Sequence, residues 1–208
     1  MFRSTAKNTV ISMPIPWFFQ EINMSQARTL TDAEFELLLD RIQHRPHARR
    51  NSLMLKLLHG AGLRVGEVAA LKIADVVGAD GRVRDQIILQ PHQTKGRHQR
   101  TVWLNEKLKI ELERYLHTVG RAGYLFTTQK RDHFTANTLQ AVITGLYRRA
   151  GFAGCSSHTG RRSFITKLAS AGVGARVLQE LAGHRNLATT QRYIDVTDVM
   201  KRRAVELA

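Results

Sequence analysis

Apolar residues recur along this chain at helical spacing in a series of short blocks, interrupted once, between about Lys72 and Trp103, by short runs of β-forming residues. Such a pattern restricts the fold to an α+β domain, mostly α-helical, with one small sheet. Thr31 and Glu34 form a T-x-x-E capping box ahead of Phe35, Leu38, Leu39 and Ile42, which predicts a helix over about 31–43. A second helix is expected over about 47–59, stopped by Gly60 and Gly62, followed by a short helix carrying Arg64 to Leu71. Asn105 caps another to about Val119, and further helical patterns cover about 137–150, 158–171, 175–182, 187–194 and 198–206. The runs Lys72–Val77, Gln86–Leu89 and Arg100–Trp103 predict a three-stranded antiparallel sheet, with Lys95 at a hairpin tip.

The 208 residues suit one main domain plus a small extra unit. Residues 1–29 lack periodicity and contain Pro14, Pro16 and Trp17, so they read as an extended N-terminal arm, with residues 30–208 as the globular domain. The apolar stretch Val10–Phe19 is broken by both prolines and is not followed by a small-residue cleavage pattern, which argues against a signal peptide. No run approaches the roughly 18 apolar residues of a membrane span. The single cysteine, Cys155, cannot form an internal disulfide, so the expected home is the cytoplasm.

Charge points to a partner. Lys and Arg number 32 against 17 acids, a net charge of +15, and a domain this basic usually meets a polyanion, with nucleic acid ahead of an anionic membrane. From His133 to Gln179 there is no Asp or Glu, while Arg148, Arg149, Arg161, Arg162, Lys167 and Arg176 all fall there. A second acid-free stretch, Gln86 to Asn105, carries Lys95, Arg97 and Arg100. Folded onto one face, the two would bind phosphates with steep salt dependence; Arg97, Arg100, Arg148, Arg149 and Arg162 are the candidate DNA contacts. Scattered, solvated cations are the competing reading.

Several residues carry possible chemistry. His158 and Arg161 share a helix face, and the turn from Ser156 to Arg162 offers hydroxyls and free backbone donors at a helix start, where anions are favoured. On one continuous helix His184 and Tyr193 would lie on opposite faces, because nine steps of about 100° end half a turn out of phase. Gly183 and Asn186 instead predict a break that frees the two side chains to converge. Glu67, one turn after Arg64, either holds that guanidinium in place or makes an ordinary surface ion pair; spacing does not choose. His44 and His47 flank Pro46 without acidic or cysteine partners, and there is neither a phosphate-binding G-x-x-x-x-G-K-[ST] loop nor a C-x-x-C pair.

Taken in order, Arg64 after Gly-Leu, Lys95 on a hairpin, His158-x-x-Arg161, then Ala182-Gly183-His184 and Tyr193 make a specific combination. Over about residues 30–208 the chain resembles the catalytic domain of the tyrosine recombinase (phage integrase) family. The resemblance implies a site-specific DNA recombinase in which Tyr193 attacks a DNA phosphate to form a 3′-phosphotyrosyl link. Arg64, Arg161, His158 and His184 would surround that phosphate, and Lys95 would protonate the departing 5′-oxygen. Fixed guanidiniums suit the negative charge of a phosphodiester transition state. A free phenol is a weak nucleophile at neutral pH, which calls for a proton acceptor, and the resemblance gives that role to His158. Because the covalent link conserves the phosphodiester energy, neither nucleotide cofactor nor metal is expected.

Only about 29 residues precede the domain, so the chain is similar to short family members such as the fimbrial phase-variation recombinases, which lack the separate N-terminal DNA-binding domain. The expected partners are double-stranded DNA, further copies in a tetramer on paired sites, and DNA-bending accessory proteins, with the protein located at the nucleoid. Lys201-Arg202-Arg203 in the last helix would be a solvated face or a handle exchanged between protomers. A type IB topoisomerase and a non-catalytic DNA-binding regulator of the same fold are the alternatives. Gly160 stands where relatives usually have a larger apolar residue, and as a mid-helix glycine it would cost about 1 kcal/mol relative to alanine.

Overall fold

The computed structural model describes residues 27–120, 122–129, 131–194 and 198–206, and the arm expected over 1–29 lies outside them apart from its last three residues. In chain order the helices are α1 (Asp32–Ile42), α2 (Ala48–Gly60), α3 (Val65–Ala70), α4 (Ile73–Val76), α5 (Glu106–Leu116), α6 (Ala136–Arg149), α7 (Thr159–Ser170), α8 (Ala175–Ala182), α9 (Leu187–Gln191) and α10 (Asp198–Val205). Strands β1 (Gln86–Leu89) and β2 (Arg100–Trp103) lie between α4 and α5. No helix among the described residues is long and apolar enough to cross a membrane.

The sequence signals explain where these elements start. At α1 the Thr31 hydroxyl accepts from the Glu34 N–H at 3.2 Å while the Glu34 carboxylate accepts from the Thr31 N–H at 2.9 Å, the reciprocal pair the capping box predicts. Asn105 and Asn186 likewise accept from the first turns of α5 and α9. Leu53, Met54, Leu55, Leu57 and Leu58 of α2 are all buried, so apolar contact surrounds this helix, and α1, α3, α5 and α7 pack against it. The end of the arm is tied down: Arg28 N–H donates to Gly154 O at 3.1 Å and Leu30 N–H to Ser163 Oγ at 2.9 Å.

The sheet has two strands rather than three. β1 pairs antiparallel with β2, Gln86 opposite Trp103 and Leu89 opposite Arg100. The third expected strand, Lys72–Val77, is instead the short helix α4, flanked by single bridges from Lys72 to Tyr124 and from Val77 to Val83. Its β-branched composition misled: Asp75 accepts from the Lys72 N–H at 2.8 Å and so caps a helical turn, while Ile73 and Val76 reach the core at helical spacing.

Gly160 is in the first turn of α7, not mid-helix, and it marks a close helix crossing. A Cβ there would come within 2.7 Å of Leu58 Cβ and 2.8 Å of the His59 ring on α2. The glycine therefore lets the start of α7, and with it Arg161, press against α2. Replacing it with leucine, the larger apolar type, should lower stability by about 1–3 kcal/mol through overpacking despite the better helix propensity. Urea unfolding of the Gly160→Leu protein checks this; an unchanged or higher midpoint would show that the crossing has slack.

Candidate active site

Three arginines from three parts of the chain converge on the C-terminal end of α8. That helix ends at Gly183, whose left-handed backbone (φ 59°) lets the His184 N–H turn back to Gln179 O at 3.0 Å. The terminal carbonyls, left without helical partners, are taken up by guanidiniums. Arg64 Nη2 donates to Gly183 O at 3.2 Å, Arg100 donates to Ala182 O at 3.0 Å and to Leu181 O at 3.1 Å, and Arg161 Nη2 also donates to Ala182 O. Arg161 Nη1 donates in addition to Gly62 O at 2.7 Å, which ties α7 to the turn before α3.

One carboxylate counters this charge. Glu67 on α3 is only 1% exposed; it accepts from the Arg64 N–H at 2.8 Å and the Arg64 guanidinium at 2.7 Å, and lies 3.3 Å from Arg100. The i, i+3 pair that spacing left ambiguous is thus a buried hub, not a surface contact. Burial, reinforced by Arg64 and Arg100, pushes the Arg161 guanidinium down to about 9, still cationic at neutral pH.

His184 and Tyr193 do converge. Asn186 starts a new helix, and α9 stops at Gln191, shorter than the expected 187–194, so Tyr193 sits in a turn with its N–H on Thr190 O at 3.0 Å. The two rings stack with centroids 5.8 Å apart, and the Arg162 guanidinium lies 5.8 Å from the centre of the Tyr193 ring. His184 Nδ1 is 3.0 Å from the hydroxyl of the buried Thr190. Burial, then the charges of Arg161, Arg64 and Arg100, push His184 down to about 4, so the ring is neutral and serves as a hydrogen-bonding group rather than a cation.

His158 is exposed at the start of α7, and its N–H donates to Ser156 Oγ at 3.2 Å. Lys95 is exposed on the loop between β1 and β2, which is fastened at one side by Gln93, donating to Asp75 at 2.7 Å and Ala70 O at 3.1 Å. A cleft of about 990 Å³ is lined by all six residues of the predicted catalytic set, Arg64, Lys95, His158, Arg161, His184 and Tyr193, together with Glu67.

The predicted DNA contacts divide. Arg97, Arg148 and Arg149 are exposed, and Arg162 lines the cleft. Arg100 faces inward, 8% exposed, and its placement among the surface DNA contacts is corrected: its guanidinium is spent on Glu67 and two carbonyls. Period-two alternation carried this signal, since Arg100 shares a strand face with the buried Val102. Thr190 and the buried Gln179, which donates to His184 O at 3.0 Å and Arg185 O at 3.2 Å, were missed; nothing in the pattern of either residue type distinguishes them.

The profile of the phage integrase family matches residues 28–200. The chain belongs to the phage integrase family. Among curated relatives of this integrase-family chain, tyrosine recombinase XerA of Pyrococcus horikoshii is 37% identical over 163 residues, covering 76% of this chain and 55% of the relative. XerA of Pyrococcus furiosus is 33% identical, covering 87% of this chain and 62% of the relative. The chain therefore spans a little over half of these proteins. A crystal structure of XerA recombinase superposes with a TM-score of 0.70 at 26% identity, covering 88% of this chain and 65% of that one. The XerH recombinase bound to palindromic difH in a post-cleavage complex gives a TM-score of 0.65 at 25% identity, covering 85% and 51%. These matches bear out the family resemblance and the mostly helical α+β fold.

Removal of the Glu67 carboxylate leaves Arg64 and Arg100 without their counter-charge. Glu67→Ala should cost about 3–5 kcal/mol in folding free energy, the range for breaking a buried pair from one side. Chemical denaturation measures it; a loss below about 1 kcal/mol, as for a surface pair, would mean the arginines find other compensation.

Proposed function

We propose that this chain is a site-specific DNA recombinase that cleaves and rejoins strands through Tyr193. The observation that carries the reading is the single cleft in which Arg64, Lys95, His158, Arg161, His184 and Tyr193 meet, with the nucleophile candidate stacked on His184. A relative named as a tyrosine recombinase, XerA, and a structural neighbour named as a site-specific recombinase, XerH, bound to its difH substrate, support it.

In this reading a DNA phosphate sits against Arg64 and Arg161, whose planar donors are already oriented by Glu67, by Gly62 O and by the carbonyls at the end of α8, and need little reorganisation as charge builds on the non-bridging oxygens. Neutral His184 adds a ring N–H without adding charge. The Tyr193 oxygen attacks phosphorus while its proton passes to His158; the bond from phosphorus to the 5′-oxygen breaks as the Lys95 ammonium gives that oxygen a proton. The products are a 3′-phosphotyrosyl link and a free 5′-hydroxyl. Attack by a 5′-hydroxyl from another strand runs the steps backward, with no outside energy source.

Strand exchange requires at least two duplexes, so the working form is an assembly of copies, a tetramer on paired sites. The end of the chain is suited to linking them: in α10, Lys201 and Arg202 are exposed and Val205 is 74% exposed. Accessory DNA-bending proteins and a nucleoid location complete the proposal.

The test uses nicked suicide duplexes tiled from the DNA flanking the coding region. Wild-type protein should form a denaturant-resistant adduct with one of them, and Tyr193→Phe none; an adduct retained by that variant removes Tyr193 as nucleophile. Arg161→Ala should lower adduct formation by roughly 10²–10³-fold, the usual loss for one transition-state donor, while most non-specific DNA binding persists. Relaxation of any plasmid without recombinant product would favour the topoisomerase alternative, and DNA binding without an adduct the regulator.

A further inference from the structure

Arg100 belongs to neither the predicted catalytic set nor the DNA-facing surface, yet it occupies the junction of the parts that must act together. It is the first residue of β2, directly after the loop that carries Lys95. Its guanidinium reaches Glu67, the partner of Arg64, and the Ala182 and Leu181 carbonyls at the end of α8, one and two residues before the Gly183-His184 turn. The Ala182 oxygen is shared with Arg161. Gly183 is packed against the same side chain: a Cβ there would fall 2.6 Å from Arg100 Cδ. Arg100 Nε is buried without a hydrogen-bond partner, a cost that surface cations do not bear. Four residues earlier, next to Lys95, the other part of the loop is held to the same corner, since Arg185 Nη2 donates to Gly96 O at 2.8 Å.

Resting on the recombinase reading, we propose that Arg100 is a positioning residue that, with Arg185, clamps the Lys95 loop to the α8–α9 corner and thereby delivers the general acid to the leaving oxygen. Neither side chain needs to touch DNA for this. Lysine cannot replace Arg100, because one ammonium cannot span a carboxylate and two carbonyls in the planar fork that a guanidinium supplies.

The chemistry of the leaving group separates this role from general support of the fold. With sulfur in place of the bridging 5′-oxygen at the scissile phosphate, the leaving group departs as a thiolate and needs no proton from Lys95. The experiment compares adduct formation by wild type, Arg100→Lys and Arg185→Ala on the suicide duplex made with the 5′-oxygen or the 5′-sulfur. Both variants should be slowed on the oxygen duplex, Arg100→Lys by about 10²-fold, the scale of a lost general acid, and both should come within about threefold of wild type on the sulfur duplex. Equal losses on the two duplexes, or wild-type rates on the oxygen duplex, overturn the proposal. Should Arg100→Lys fail to fold, Arg185→Ala decides by the same ratio, because Arg185 is exposed and its loss removes no buried contact. Absence of any wild-type adduct would instead count against the recombinase reading, and the inference would fall with it.

Discussion

The carbonyl end of α8 is where this structure concentrates its unmet electrostatic demand. A helix of eight residues closes on a glycine, and the oxygens at its end accept from three guanidiniums, two of which also bond one buried carboxylate. Three like charges this near one another are tolerable only because each is hydrogen-bonded on its inner side, and the arrangement leaves an excess of positive charge on the side of the cleft. Remove the helix terminus and the arginines would repel; remove the arginines and the terminus would be a buried row of orphan acceptors. The positive charge of the cleft is thus a product of the fold and not a layer added to its surface.

The same arrangement divides labour among the ring nitrogens. His158 is exposed at the start of α7, whereas burial, and then the cationic neighbours Arg161, Arg64 and Arg100, keep His184 uncharged. Two histidines lining one cleft thus stand in different surroundings, one open to solvent and one half-buried against a tyrosine ring.

Much of this was legible in the sequence because it is local. Thr31 with Glu34, Asn105, Asn186 and Gly183 mark element ends through interactions with residues a turn away, and the helices they predict form within a few residues of the expected bounds. The ordered set from Arg64 to Tyr193 was likewise legible as a combination, and it meets in one cleft. What escaped depends on contacts across the chain. The Asp75 carboxylate that caps Lys72 is also held by Gln93, 18 residues on, and Arg100 gives no local sign that its partners are 33 and 81 residues away. Gly160 looks like a defect in a helix until Leu58 and His59 are seen beside it.

The short path from His184 to Tyr193 has a mechanical meaning. Thr190 touches both ends of it, through its hydroxyl to the imidazole and through its carbonyl to the tyrosine N–H, and Gln179 pins the carbonyls of His184 and Arg185 from behind. The phenol is therefore on a leash whose fixed end is the arginine-lined corner itself. A displacement that carried the ring far from its station would break both the Thr190 tether and the stack on His184, so the placements of the two rings are coupled.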